Sequence, residues 1–329
     1  MASLKDVAQL AGVSPSTVSR VMNNTIFVSP DTREKVEQAI REVNYKPNIL
    51  AQSLRLKATK NIGLLVPEIA HPSFNLVIKY VVDSAAKRGL NTIVCNTHND
   101  DVKEAKIIDS LVRQAINGII FIRVSDKSHI VNVSRSTNVP MVVLDRAFNN
   151  ERIPNITADN YQAGVLAAEH LVSKGRRHIA TITGKFDISL ARDRHQGFVD
   201  TLRSHRIELD RALIHEGGFT YQSGMDGVKK FLESDKEFDG LWAQNDLIAA
   251  AAISTLLRNG KRVPQDVSVV GMDDVQFAPM IYPSITTIAQ PFKEMCDKSV
   301  EYLDKLTRNE KIEKHHISFP CFLVERESS

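Results

Sequence analysis

Near the N-terminus, apolar residues recur at helical spacing in three short blocks. Leu4, Val7, Ala8 and Ala11 fall at i, i+3, i+4 and i+7, one face of a helix. Gly12 breaks that pattern, and Ser14 followed by Pro15 supplies an N-cap and a proline at the first helical position of a second block, which fades at Asn23-Asn24. Ser29-Pro30-Asp31 repeats the start signal. A third block runs to about Val43 with Val36, Ala39, Ile40 and Val43 as its buried stripe. Two short helices joined at a glycine, with a third across them, predict an all-α helix-turn-helix head over residues 1–47. The same pattern also fits a small helical subdomain without a DNA role.

From about residue 61 the pattern changes. Short apolar runs at Ile62–Val66, Thr92–Cys95, Gly118–Ile122, Met141–Leu144, Ile179–Thr183, Leu241–Ala243, Val267–Val270 and Thr286–Ile288 predict strands. Amphipathic stretches at Phe74–Lys87, Val102–Ala115, Gln162–Lys174, Ala191–Ser204 and Leu247–Arg258 lie between them. This alternation predicts an α/β body with parallel sheets covered on both faces. The span 61–329 is long for one sheet, so two doubly wound lobes are expected. Residues 48–60 are left as a linker, too short for a stable isolated helix.

Ligands of open parallel sheets bind beyond the carboxyl ends of the strands. There this chain places His71, Ser73 and Phe74; Asp145 and Arg146; Arg192; Asn245 and Asp246; Asp273; and Gln290, with Phe219 nearby. Carboxylates and amide oxygens accept, arginine and amide nitrogens donate, and aromatic faces cover an apolar ring, which together suit a sugar. Asp246 is expected to cap a helix instead. His71 is expected to titrate near neutral pH.

Charge sharpens the reading of the head. Residues 1–60 hold nine Lys/Arg against five acids, a net of +4, and the whole chain carries +3, leaving −1 for the rest. A basic head on a near-neutral body suits a polyanion partner. No apolar run approaches the ~20 residues of a membrane helix and no leader pattern opens the chain, so a cytoplasmic protein is expected. Cys95, Cys296 and Cys321 are odd in number and far apart, as expected of buried thiols, and His315-His316 fits a surface or strand pair better than a metal site.

The strings Lys5-Asp6-Val7-Ala8, Ala11-Gly12-Val13-Ser14, Thr17-Val18-Ser19-Arg20-Val21, Val28 to Val36 and Asn44-Tyr45-Lys46-Pro47-Asn48 resemble the DNA-binding head of the lactose-repressor family. The resemblance extends over essentially the whole chain. It implies base reading by Pro15, Ser16 and Arg20, with Thr17, Ser19 and Asn23 on phosphates or neighbouring bases. Pro15 offers only apolar contact, so Ser16 and Arg20 carry most of the direct readout. For residues 48–60 it implies a hinge helix that orders on DNA, with Asn48 and Arg55 at the duplex and Leu54 as a minor-groove wedge.

In the body, Leu144-Asp145-Arg146, Ala191-Arg192-Asp193-Arg194 with Gly197-Phe198, Ala243 to Asp246, Val270 to Asp273 and Thr286 to Pro291 resemble the core shared by these repressors and ribose-type periplasmic binding proteins. The resemblance implies lobes of about 61–159 with 291–318, and 160–290 with 319–329. It implies effector contacts at Asp145, Arg146, Arg192, Asn245, Asp273 and Gln290, with Phe74 and Phe219 as ring platforms. Where ribose-type sites have Asn-Pro-Phe-Phe, this chain has His71-Pro72-Ser73-Phe74, which enlarges or rewets that wall. Ribose or a related sugar is the expected inducer, followed by a sugar phosphate and a purine. The expected assembly is a homodimer on a palindromic DNA operator, with no tetramer because the chain ends without leucine heptads. No cofactor is expected. The rival classes are a sugar-converting enzyme on a doubly wound fold, for which no Gly-x-Gly-x-x-Gly, phosphate loop or Gly-x-Ser-x-Gly is present, and a periplasmic carrier, which the basic head disfavours.

Overall fold

The computed structural model describes residues 2–23, 27–45, 59–124, 137–147 and 153–329, except the side chain of Asn23. The chain separates into two compact units, Met1–Thr59 and Lys60–Ser329.

The first unit holds α1 (Leu4–Leu10), α2 (Pro15–Asn23) and α3 (Pro30–Glu42). Ser3 and Asp6 form a reciprocal capping box at α1, satisfying two orphan backbone donors. Gly12 turns the chain at φ +65°, a left-handed conformation that costs glycine nothing. The Ser14 hydroxyl accepts from the Thr17 amide at 3.1 Å, and Ser29 caps α3 ahead of Pro30. Val7, Ala8, Val18, Val21, Val36 and Ala39 close one small core.

The second unit contains two six-stranded sheets. The first has the order β11-β5-β4-β3-β1-β2, built from β1 (Asn61–Val66), β2 (Asn91–Asn96), β3 (Gly118–Phe121), β4 (Met141–Leu144), β5 (Asn155–Ala158) and β11 (His316–Phe319). All its pairings are parallel. The second has the order β12-β10-β9-β8-β6-β7, built from β6 (Ile179–Thr183), β7 (Ile214–Glu216), β8 (Gly240–Ala243), β9 (Ser268–Asp273), β10 (Thr286–Ala289) and β12 (Phe322–Val324). Only β12 runs antiparallel there, with Ile288 opposite Leu323.

Each sheet is covered on both faces, as buried parallel sheets require. Alternate residues of β1 face opposite ways. Ile62, Leu64 and Val66 pack with α4 (Pro72–Lys87) and α10 (Phe292–Thr307), whereas Leu65 packs with α5 (Asp101–Arg113). In the second sheet Trp242 faces α6 (Asn160–Ser173) and α7 (Ser189–Ser204), while Leu241 and Ala243 face α8 (Tyr221–Leu232) and α9 (Asp246–Arg258). Trp242 stacks on Phe198 with ring centroids 4.6 Å apart. The α6–α7 crossing is tight: a Cβ on Gly164 would lie 2.0 Å from the Arg194 carbonyl oxygen, and one on Gly197 2.0 Å from that of Tyr161. Among the described residues no helix is long and apolar enough to cross a membrane. Cys95, Cys296 and Cys321 are unbridged, the last two buried.

Candidate functional site

A cavity of about 520 Å³ lies at the carboxyl ends of strands from both sheets, within the roughly 300–1,000 Å³ usual for small-molecule sites. From the first sheet, the turn after β1 brings His71, Ser73 and Phe74, and the end of β4 brings Asp145 and Arg146. From the second, α7 brings Arg194, the turn after β7 brings Phe219, and the ends of β8, β9 and β10 bring Asn245, Asp273 and Gln290.

The backbone is bent to present the two carboxylates. Asp145 has φ +70° and Asp273 φ +112°, each costing about 1–3 kcal/mol in a residue other than glycine. Such strain concentrates where side chains are aimed at a task. Asp273 accepts from Gln290 Nε2 at 2.6 Å. Burial pushes its carboxyl up to about 7, with the nearby Arg194 cation pulling the other way. Burial also raises Asp145, against Arg194 and Arg146. Arg146 Nη1 donates to the carbonyls of Arg123 and Val124 at 2.7 and 2.6 Å, and its guanidinium lies 5.9 Å from the centre of the Phe74 ring. Arg194 Nε donates to Asn160 Oδ1 at 2.8 Å and its Nη1 to the Gln244 carbonyl at 2.9 Å, with the guanidinium 5.8 Å from the Phe219 ring. That ring lies against Gly184, where a Cβ would come within 2.3 Å of it. Asn245 caps α9 through Oδ1, which accepts from the Ile248 amide at 2.7 Å, while its Nδ2 donates to the Phe219 carbonyl at 3.3 Å and lies 3.1 Å from His71 Nε2. Gln290 Oε1 and Arg146 Nε are buried and bonded to nothing among the described residues, and both residues line the cavity.

In the separate first unit, α2 buries Val18 and Val21 and exposes Pro15, Ser16 and Arg20. Thr17 and Ser19 are half-buried beside them. The Ser14 hydroxyl contacts those of Ser16 at 2.7 Å and Thr17 at 2.9 Å, steadying the start of the helix.

The sequence signature described as bacterial regulatory proteins, lacI family, matches residues 3–48, and the periplasmic binding protein-like domain matches 168–329. A ribose operon repressor of Halalkalibacterium halodurans is 33% identical over 100% of this chain and 97% of its own length. The transcriptional repressor PurR of Aliivibrio fischeri is 33% identical over 100% and 98%. The lac repressor dimer bound to operator and the anti-inducer ONPF superposes with TM-score 0.89 at 30% identity, covering 99% and 98% of the two chains. The chain belongs to the lacI family of bacterial regulatory proteins.

The relatives of this lacI-family protein are transcriptional regulators, which removes the enzyme alternative. Nine of the ten residues expected to contact an effector line this cavity. The tenth, Arg192, does not: it is exposed on α7 and donates from Nη1 to the Phe186 carbonyl. Two residues correspond to about 200° of helix rotation, so Arg194 takes the place expected of Arg192. The signal was readable, because α7 buries Leu190, Ala191, Arg194, Gly197 and Phe198 as one stripe. Asp246 does not cap α9. It is the first helical residue, fully buried, accepting from Thr287 Oγ1 at 2.6 Å and the Val275 amide at 2.9 Å. His71 does not titrate near neutrality: burial, with Arg146 and Arg194 nearby, holds its imidazole down to about 4 despite the bond to the Phe219 carbonyl. Phe292 also lines the cavity and was not anticipated. Asn48, Leu54 and Arg55, with the side chain of Asn23, lie outside the described residues.

Proposed function

We propose that this regulator is a repressor that binds a palindromic DNA operator as a homodimer and releases it when a small neutral sugar fills the cavity. The observation that carries the effector reading is the convergence of Asp145, Asp273, Asn245, Gln290, Arg146 and Arg194 on one cavity that Phe74 and Phe219 also line. Adjacent sugar hydroxyls both donate and accept, and this set offers both roles at close range. Asp145 and Asp273 line the cavity together with the two arginines, and a phosphate there would meet carboxylates as well as cations, so a neutral ligand fits better than a sugar phosphate. A pentose such as ribose is the first choice, in keeping with the ribose operon repressor among the relatives. A purine is the second, favoured by the PurR relative and by two aromatic walls.

In the head, Ser16 and Arg20 would read base edges and Pro15 would make apolar contact, with Thr17, Ser19 and Asn23 at phosphates or neighbouring bases. Residues 48–60 would form the hinge, with Leu54 as the wedge and Asn48 and Arg55 at the duplex. Met280 and Tyr282, in the loop between β9 and β10, leave 69% and 84% of their surface exposed, which supports a partner surface on the body. Linkage requires DNA and sugar to change each other's affinity by one common factor. The test is fluorescence anisotropy on the upstream DNA of the encoding gene, with D-ribose, ribose 5-phosphate and hypoxanthine as separate additions. Specific binding weakened by D-ribose alone is expected. Binding that strengthens with hypoxanthine would favour the purine reading, and no sequence preference on any fragment would overturn the proposal.

A further inference from the structure

His71 occupies the N-cap position of α4, yet its side chain makes no capping bond. It reaches instead across the cavity to residues of the second sheet's half. Its Nε2 lies 3.1 Å from Asn245 Nδ2 and 3.1 Å from the Phe219 carbonyl oxygen, while Nδ1 lies 2.7 Å from Ser73 Oγ. The Ser73 hydroxyl also stands beside the Asp273 carboxylate and favours its charged form. Asn245 Nδ2 also donates to the Phe219 carbonyl at 3.3 Å. The imidazole packs against Phe74 with ring centroids 5.1 Å apart and the two planes tilted by 45°.

The donors and acceptors can be ordered in two ways, which differ in whether His71 Nε2 is satisfied by Asn245 or by the Phe219 carbonyl. With Asp273 ionised, Ser73 donates to it, His71 Nδ1–H donates to Ser73 Oγ, and Nε2 accepts from Asn245. The second Asn245 hydrogen then goes to Phe219. With Asp273 protonated, the whole chain reverses: Asp273 donates to Ser73, Ser73 to Nδ1, and Nε2–H to the Phe219 carbonyl, which releases Asn245 from the ring. A neutral imidazole can carry either polarity, because one ring nitrogen donates while the other accepts and the tautomer exchanges the two. The charged and titratable groups facing this relay are Arg146, Arg194 and Glu68 around His71, and Asp145 and Arg194 around Asp273.

We infer that His71 and Ser73 are positioning residues that tie the two halves of the body together across the cavity and orient Asn245 and Asp273 for the effector, so that ligand recognition and cleft closure are one event. The orienting half rests on the reading of the cavity as an effector site; the tie itself does not. A ligand hydroxyl that engages Asp273 competes with Ser73 and thereby selects the polarity at Asn245, at the opposite end of the relay. A wall that works through such bonds favours a hydroxyl-rich ligand over one that only stacks.

The test uses the full chain. His71→Phe keeps the ring on Phe74 and removes both nitrogens; Ser73→Ala removes one oxygen; Ser73→Thr restores it. Hydrogen exchange in buffer without sugar should run about tenfold faster in His71→Phe and Ser73→Ala at peptides spanning residues 217–223 and 271–275. Ser73→Thr should recover most of the protection, and the thermal transition followed through Trp242 should stay close to wild type in all three. D-ribose, used as the probe, should bind about tenfold more weakly to the first two variants. Unchanged exchange in His71→Phe and Ser73→Ala would overturn the tie. A wild-type protein that ignores D-ribose would instead count against the sugar reading, with exchange still deciding the tie.

Discussion

Replacing Asp273 with asparagine should make the body more stable and the regulator deaf. Asp273 is buried, and its carboxyl is raised from 3.8 to about 7, chiefly by that burial. The sign follows from proton linkage. An acid whose folded value exceeds its unfolded value binds more protons when folded, so stability falls as pH rises between the two values and the penalty is complete above the folded one. A shift of roughly three units corresponds to ~4 kcal/mol at pH 8, of which less than ~2 kcal/mol has accumulated by pH 5. Asparagine is neutral throughout, keeps one oxygen for Ser73 or Gln290, and offers an N–H to Gln290 Oε1, the atom now without a partner among the described residues. The stability advantage of Asp273→Asn should therefore widen by ~2–3 kcal/mol between pH 5 and pH 8. Trp242, the single tryptophan of the chain, is buried in β8, so its fluorescence during urea unfolding reports the body without the head. An advantage that stays constant over that range would refute the reasoning, because a pH-independent gain is a packing effect. The same variant should lose its thermal shift with D-ribose.

Arg20→Ala should weaken operator binding by ~1–3 kcal/mol and flatten the preference for one base pair; anisotropy on an operator and its single-base variants measures both. Arg194→Ala should abolish the D-ribose thermal shift and cost ~1–3 kcal/mol, since Asn160 and the Gln244 carbonyl lose a buried donor. Arg192→Ala, on an exposed face of α7, should change stability by under ~0.5 kcal/mol and leave ligand binding intact; a larger effect from Arg192 than from Arg194 would reverse the assignment. Gly197→Ala should lower the body's melting temperature by roughly 10 °C, from ~3 kcal/mol of overpacking against the Tyr161 carbonyl.

Most of the scaffold was legible because burial on both faces writes an unmistakable pattern. Met141–Leu144 and Ile179–Thr183 are strands with the bounds their apolar runs suggest, and the three helix starts at residues 4, 15 and 30 follow from caps and prolines. Four strands escaped. β7 and β11 are edge strands with half-exposed sequences, Ile-His-Glu and His-Ile-Ser-Phe, where no apolar run forms, and the edge strand β12, Phe-Leu-Val, is apolar but only three residues long. β5, Asn155–Ala158, is buried but mixes polar and apolar residues. Helix α8 was missed because its buried stripe is Ser223, Gly224, Gly227, Val228 and Phe231, mostly too small to register as hydrophobic. At the site, Asp145, Asn245, Asp273 and Gln290 were legible because each stands at or just beyond the carboxyl end of an apolar run. Two corrections, Arg194 for Arg192 and Asn245 for Asp246 as the cap, were one helix face and one position away. The third, His71, depended on the depth of its burial, a tertiary quantity that spacing does not contain.

The two outermost strands contributed by the end of the chain, β11 and β12, complete the edges of both sheets, and Ser328 bonds into the second sheet through the Val269 carbonyl. During translation the head emerges before the body, whereas neither sheet can finish until residues beyond 316 have been made, roughly tens of seconds later at bacterial elongation rates. A message cut short within that interval yields a head fused to two sheets with open edges, which invite association with other chains. Placing the closing strands last means that a chain with a finished sensing body has, by the order of its synthesis, already acquired its head.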